Sequence, residues 1–543
     1  VKGSITFDIT NFTPGIYPYR QQGAKADLNF SVSHGAEVFY SQNAAIDPKL
    51  LLEDTVAPTH TYQHDRWNNI TAETDSLGHT TTTEYNHANK SIKKIQPTVA
   101  VVDEHGVSKD MAPVTVYGYN ERNVQIGTRD ANGHISGYIV DSKGSIVETY
   151  AADGTCERTN SYDGFRRVVA YYDGRGSDHT WRQSYDHMNH ILVITAPSGK
   201  TQKFTYNEKG KRTSQADGSG FTYKYIYDVR GNVTTSYMPG EQATYYTYDH
   251  NHQQLSKTNS DGKISWQRDY WGTETGSIDY SGAKYTLVYD AKKQLMQKSS
   301  IGGDHGKTLT LFNKTIPTLP QFLQYTYKAG RLVNIKDVSS GRLTKFYYDA
   351  EGRRTKSLTL DFGGFMVSAI SSKIDALGRI YWTYDTSSMV YVDYDAVGNR
   401  RSVRALLYTT FDGLKAKEQW NTYDAADRIL IDSGILQDGQ IIITKDQGTA
   451  VSYTAGFRTQ EVTYKSDDDN VHGLGHTQKI VTTISHDIDG LLLKTSADDK
   501  SSSIYTYDNS NRMTNFTKHV PFGGFPPNNT IMRTDSITNY DSN

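Results

Sequence analysis

Between Phe221 and Tyr227 the chain alternates, with Phe221, Tyr223, Tyr225 and Tyr227 on one side and Thr222, Lys224 and Ile226 on the other. A two-residue period is that of a β-strand, whose successive side chains point to opposite faces. The alternation stops at Tyr227-Asp228-Val229-Arg230-Gly231-Asn232. There Asp accepts hydrogen bonds from backbone N–H groups two residues on and Gly takes the positive φ that closes a turn, so the segment predicts a hairpin corner. A second turn signal falls midway between such corners, at Ser198-Gly199, Asp217-Gly218 and Asp261-Gly262. The predicted unit is therefore two strands and two turns.

The corner recurs. Copies begin at Tyr162-Asp163, Tyr185-Asp186, Tyr206-Asn207 with Gly210, Tyr227-Asp228 with Gly231, and Tyr248-Asp249, at steps of 23, 21, 21 and 21 residues. Tyr348-Asp349 with Gly352 and Tyr394-Asp395 with Gly398 are nearly interchangeable with the copy at Tyr227, and Tyr423-Asp424, Tyr507-Asp508, Tyr327-Lys328 and Asp375-Ala376 keep the frame with one element lost. Fainter versions stand at Tyr62 and Tyr85-Asn86. A period in this range marks a repeat architecture. A lone hairpin is marginal in water, so successive units should pair edge to edge into one long sheet. The expected fold class is all-β, a stack of hairpins in a single continuous sheet.

Composition narrows this further. The 543 residues include 40 Tyr, 45 Gly and 13 Pro, with 36% hydrophobic residues and a formal net charge of −2. Length alone would point to roughly three or four domains, whereas the repeat argues for one body. Tyr joins apolar ring area to a water-tolerant hydroxyl, so both faces of the sheet are amphipathic and the sheet can curl around a space. The near-neutral balance and the lack of a basic stripe argue against nucleic acid and against an anionic membrane as partners. The single cysteine, Cys156, excludes an intrachain disulfide and permits folding in a reducing cytoplasm. No stretch approaches the apolar length of a membrane span, and Val1-Lys2-Gly3-Ser4 carries neither an initiator Met nor a cleavable signal. The chain reads as excised from a longer polypeptide, with more protein expected beyond Asn543.

Three segments interrupt the period. Residues 1–60 form a β segment expected to act as a cap or plug, and residues 61–543 form the repeat body, with insertions near 299–324 and 432–480. Phe362-Gly363-Gly364-Phe365 and Phe522-Gly523-Gly524-Phe525 read as bulged or sharply bent strands where backbones pack closely.

These repeated corners resemble the Rhs or YD-repeat family over roughly residues 60–540, most strongly over 160–400. The resemblance implies a spiralling β-sheet that forms a hollow shell or part of one, as in the cocoon of ABC toxin complexes and in the Rhs cores of type VI secretion. It further implies an encapsulating role: the shell encloses and helps deliver a C-terminal effector polypeptide, not present in this chain, to target cells or to the outside. Expected partners are that effector, a second shell subunit and secretion machinery. In one respect the chain departs from the family. Family cores often end in an Asp-Pro signature with nearby aspartates that release the effector, but the sole Asp-Pro here is Asp47-Pro48, near the opposite end. Self-cleavage by an aspartyl autoprotease core is thus an alternative without its signature. A carbohydrate-binding adhesin is the other alternative, because rows of tyrosine rings can stack on sugar faces; as cross-strand packing pairs the same rings are purely structural.

Signals of other chemistry are few. Asp467-Asp468-Asp469 and Asp487-Ile488-Asp489-Gly490 lack the ligand count and terminal Glu of a calcium loop. The 17 His show no His-Glu-x-x-His spacing, and neither a Gly-x-Ser-x-Gly elbow nor a phosphate loop is present. Cys156 follows the turn Asp153-Gly154-Thr155 and reads as structural. Repetition argues that Asp163, Asp228 and Asp395 are turn residues, since an active site is needed once and a turn in every unit. No catalytic residue, cofactor or metal site is expected.

Overall fold

A computed structural model describes residues 29–34, 37–42, 58–301, 309–311, 314–316, 321–385, 387–409, 413–444, 447–466, 477–498, 501–521 and 530–536. The fold is all-β: among the described residues 39 strands make one long antiparallel sheet. Its first strand is Thr61–His64 and its last is Thr530–Ser536. Strands pair with their neighbours in chain order, and the two end strands do not pair with each other, so the sheet is an open strip. Among the described residues no helix is long and apolar enough to cross a membrane.

The hairpin Thr222–Tyr227 with Val233–Tyr237 shows how sequence sets this geometry. Tyr223, Tyr225 and Tyr227 are half-buried while Lys224 and Ile226 face solvent, as the alternation demands. At the corner Gly231 N–H donates to Asp228 O and Asp228 N–H donates to Asn232 O. Gly231 has φ 89°, and the register slips by one residue between Ile226 and Tyr227. This is a type I turn closed by a bulge residue in the left-handed region. Asn189, His252 and Asp427 take the glycine's place at other corners, all with positive φ. The mid-unit turn at Asp217 follows the same rule, and its left-handed residue is Gly220 rather than Gly218. Gly218 is constrained for another reason: a Cβ there would collide with the backbone carbonyl of Asn509, far along the chain. Phe362-Gly363-Gly364-Phe365 is a corner as well, not a bent strand. Gly364 N–H donates to Asp361 O, and both phenyl rings lie exposed. Residues 522–525 lie outside the described residues.

Contacts between distant corners show that the strip coils over itself. Glu351 meets Ser76, Asp395 meets Asn132, Arg428 meets Asp153, Asp487 meets Arg175, Asp489 meets Ser198, and Ser510 meets Ser219. The order is the same along both segments, so a second wrap follows the first after some 263 to 312 residues. In each of these contacts a mid-unit turn of the first wrap abuts a Tyr-Asp corner of the second, or its His486-Asp487 variant. Strand edges do not meet at this seam; turns do.

A hairpin that the repeat does not contain adds an apolar clasp. Val99–Val102 and Ser108–Met111 form a separate two-stranded sheet. Val99 and Val101 are buried against Ala396 and Leu377, and Val102 against Trp420, Ile441 and Leu436. Gly106, at φ 80°, brings the tip of this hairpin onto Leu436 and Trp420.

The irregular segments take varied forms. Asn29–His34 pairs with Glu37–Gln42, and the rest of 1–57 lies outside the described residues. Leu295–Ile301 pairs directly with Phe322–Lys328, which leaves the chain between them as an excursion bearing the small hairpin Leu309–Leu311 with Lys314–Ile316. Across 432–480 the main sheet continues through Thr449–Thr454 and Phe457–Ser466.

Trp420→Ala should destabilise the clasp by about 3 to 5 kcal/mol, the usual cost of emptying a buried tryptophan site. Urea unfolding of the variant would check this, and an unchanged midpoint would show that the hairpin does not clasp the wraps.

Candidate functional site: the corners and the seam

Each corner is organised by one carboxylate. In Asp228, Oδ1 accepts the N–H groups of Arg230 and Asn232, and Oδ2 accepts the Asn232 side-chain amide at 2.8 Å. Asp163, Asp349, Asp375, Asp424 and Asp508 instead face an arginine four residues on, whose Nε donates to Oδ2 at 2.7 to 2.8 Å. That arginine also reaches forward, donating to the carbonyl of the next corner: Arg167 to Asp186 O, Arg353 to Asp375 O, Arg379 to Asp395 O. The corner tyrosine reaches backward. Tyr162, Tyr185, Tyr206, Tyr227, Tyr348, Tyr394, Tyr423 and Tyr507 donate their hydroxyls to backbone carbonyls of the preceding hairpin pair. Burial pushes the pKa of Tyr348, Tyr394 and Tyr423 up. Asp186 and Asp249 hold their turns in the same way, each accepting backbone N–H groups. Gly210, Gly352 and Gly398 all have positive φ.

The residues singled out from sequence thus line up along the sheet rather than converging on one centre. What converges is the seam. His60 lies between Glu73 at 3.0 Å and Glu351 at 2.9 Å, and these two carboxylates raise its pKa. Arg428 pairs with both its own corner Asp424 and Asp153 of the first wrap. Arg175 donates to Asp173 and to Asp487 O, and its guanidinium lies 4.1 Å over the ring of Phe457. Lys200 lies 3.7 Å from Asp489, and Arg512 3.8 Å from Asp217. A shallow pocket opens on the seam, lined by Arg175, His179, Phe457, Ile484 and His486. Burial, aided by the charge of Arg175, pushes the His486 pKa down.

Repeat spacing does not reveal the seam partners, because they are set by how far the strip curls and not by local sequence. The apolar clasp did leave a signal. Val99-Ala100-Val101-Val102 is a continuous apolar run where the repeat alternates. Cys156 is half-buried with its thiol 3.5 Å from the Thr159 hydroxyl.

No profile of a known protein family matches the chain. It is 28% identical over 223 residues to the tRNA3(Ser)-specific nuclease WapA of Bacillus spizizenii, across 40% of this chain and 8% of that protein. It is 21% identical over 289 residues to the probable deoxyribonuclease RhsB of Dickeya dadantii, across 49% of this chain and 18% of that protein. The chain therefore spans a small part of these relatives. Among solved structures it resembles TcdB2-TccC3-TEV with a TM-score of 0.51 and 12% identity, over 84% of this chain and 26% of the other, a likeness of fold.

The corner carboxylates make stability depend on pH. The side-chain amide of Asn232 holds Asp228 below its ordinary pKa, and the backbone N–H groups of Arg167 and Gln253 do the same for Asp163 and Asp249. A carboxylate whose pKa is depressed on folding stabilises the fold fully above its unfolded value, near 4, and loses that contribution as pH falls through the folded value. The urea midpoint should therefore fall steeply below about pH 4, one corner's loss adding to the next. A midpoint that stayed level down to about pH 3 would contradict the role given to these carboxylates.

Proposed function

We propose that the chain is an Rhs/YD-repeat protein that forms part of the wall of a toxin shell, enclosing an effector polypeptide and helping to deliver it. The observation that carries this reading is the seam: the open strip coils so that corners of a second wrap abut mid-unit turns of the first, the arrangement expected of a curved wall and not of a solid core. The motif aspartates are engaged in turns in unit after unit, so the wall itself is given no catalytic part. A cytotoxic polypeptide kept partly unfolded behind such a wall is inactive, shielded from proteases and ready to thread through a narrow conduit.

An open strip also supports a shared shell. Among the described residues the outer edges of Thr61–His64 and Thr530–Ser536 pair with no further strand, and an unpaired edge invites another strand. The proposed partners are therefore the effector and a further stretch of shell, from the same polypeptide or a second subunit. Delivery to a target cell or to the outside belongs to the same proposal. The nuclease activities named for WapA and RhsB stay with those proteins.

Negative-stain electron microscopy of the purified chain tests the reading. Class averages should show a curved wall about an empty centre, and a solid particle would rule out encapsulation by this strip.

A further inference from the structure

Seam crossings between charged side chains follow a rule of complementary charge: Asp153 faces Arg428, Asp217 faces Arg512, Asp489 faces Lys200 and Glu351 faces His60. One crossing differs in bringing two carboxylates together with a single imidazole. Asp130 and His134 of a first-wrap turn stand with Asp427 of a second-wrap corner, and one ligand atom from each of the three lies within 4.8 Å of the others. No Lys or Arg pairs with Asp130 or Asp427 among the described residues.

Equivalent corners supply an internal control. His79 and His190 occupy the same place relative to their corner aspartates, and their Nδ1 atoms hydrogen-bond to Asp75 and Asp186 at 2.9 and 2.8 Å. In His134 that gap opens to 3.6 Å, and Nδ1 is buried with no hydrogen-bond partner. Such a separation is too long for a good hydrogen bond. It is close to the roughly 3.4 Å that separates two donors each about 2.1 Å from one tetrahedral zinc ion. The remaining donor is already oriented, because Asn399 Nδ2 donates to Asp427 Oδ1 at 2.8 Å and also to Asp395 Oδ2 at 3.0 Å. Asn132 Nδ2 ties the first wrap to Asp395 Oδ2 at 3.0 Å. Such outer contacts set the direction in which a ligand presents its lone pair.

We propose that Asp130, His134 and Asp427 bind a divalent transition-metal ion of the zinc type, which staples the first wrap to the second. One imidazole and two carboxylates suit zinc better than calcium or magnesium, which take oxygen ligands. The fourth position falls to water. The ion neutralises two carboxylates that otherwise face each other across the seam, and its role is structural. The site uses neither Asp487 nor Asp489, which meet Arg175 and Ser198, while the acidic run at 467–469 lies outside the described residues; His134 and Asp427 stand far apart in the chain, so only the coiling of the strip assembles the site.

Cobalt(II) titration of the full chain tests the proposal, read by the visible absorption that Co2+ gains in a tetrahedral site. One equivalent should bind, and the affinity should weaken roughly tenfold or more in His134→Asn and in Asp427→Asn. Asp427 has φ 60°, which asparagine adopts readily, so D427N retains the turn. His79→Asn and His190→Asn should bind as the parent does. Zinc should also raise the unfolding midpoint of the parent and leave that of D427N unchanged. A parent chain that binds no stoichiometric cobalt, or binding undiminished in D427N, would overturn the proposal.

Discussion

The structure depends on one small interaction, a carboxylate oxygen that accepts two backbone N–H groups at a hairpin corner. In Asp228 those donors are Arg230 and Asn232, both at 2.9 Å. The carboxylate fixes the type I turn, and the turn fixes where the neighbouring side chains go. Tyrosine, one residue earlier, points back to the previous hairpin, while arginine, four residues later, points forward to the next corner. Each unit is thus tied to both neighbours by the residues that make its own turn. A hairpin that would be marginal alone gains stability from the row.

A row of corners at nearly constant spacing has a further consequence. With strands of about five or six residues, the strip is narrow, and its two long margins are made of turns instead of strand edges. Turn margins hold charged side chains, so one wrap can recognise the next by ion pairs such as Arg428 with Asp153. Exposed ion pairs of this kind contribute little singly. The apolar clasp of Val99, Val101 and Val102 against Ala396 and Trp420 supplies burial that the seam charges do not. Register and specificity come from the charges, and cohesion from the clasp.

Much of the local fold is legible in sequence because it is local. The alternation at Tyr223, Tyr225 and Tyr227 and the turn at Asp228 to Gly231 involve residues within a few positions of each other. Legibility fails where a residue answers to something distant. Gly218 looks like the glycine of the Asp217 turn, yet Gly220 closes that turn and Gly218 makes room for Asn509. Phe362 to Phe365 looks like a bent strand because glycine inside a strand marks a bulge or a close backbone approach, yet Asp361 makes it a corner. The hairpin at 99–111 and the grouping of Asp130, His134 and Asp427 follow from the curl of the strip, which no short window of sequence contains.

The second wrap lies on the first with corners in a fixed register, and cysteine cross-linking in a Cys156→Ser background measures that register most directly. Asp153→Cys with Arg428→Cys places the two thiols on partners that form an ion pair across the seam, whereas Asp153→Cys with Asp487→Cys places them on corners out of register. A short bismaleimide should join the first pair within a single chain and leave the second unjoined. Failure of the first pair to join, or equal joining of both, would contradict the coiled strip.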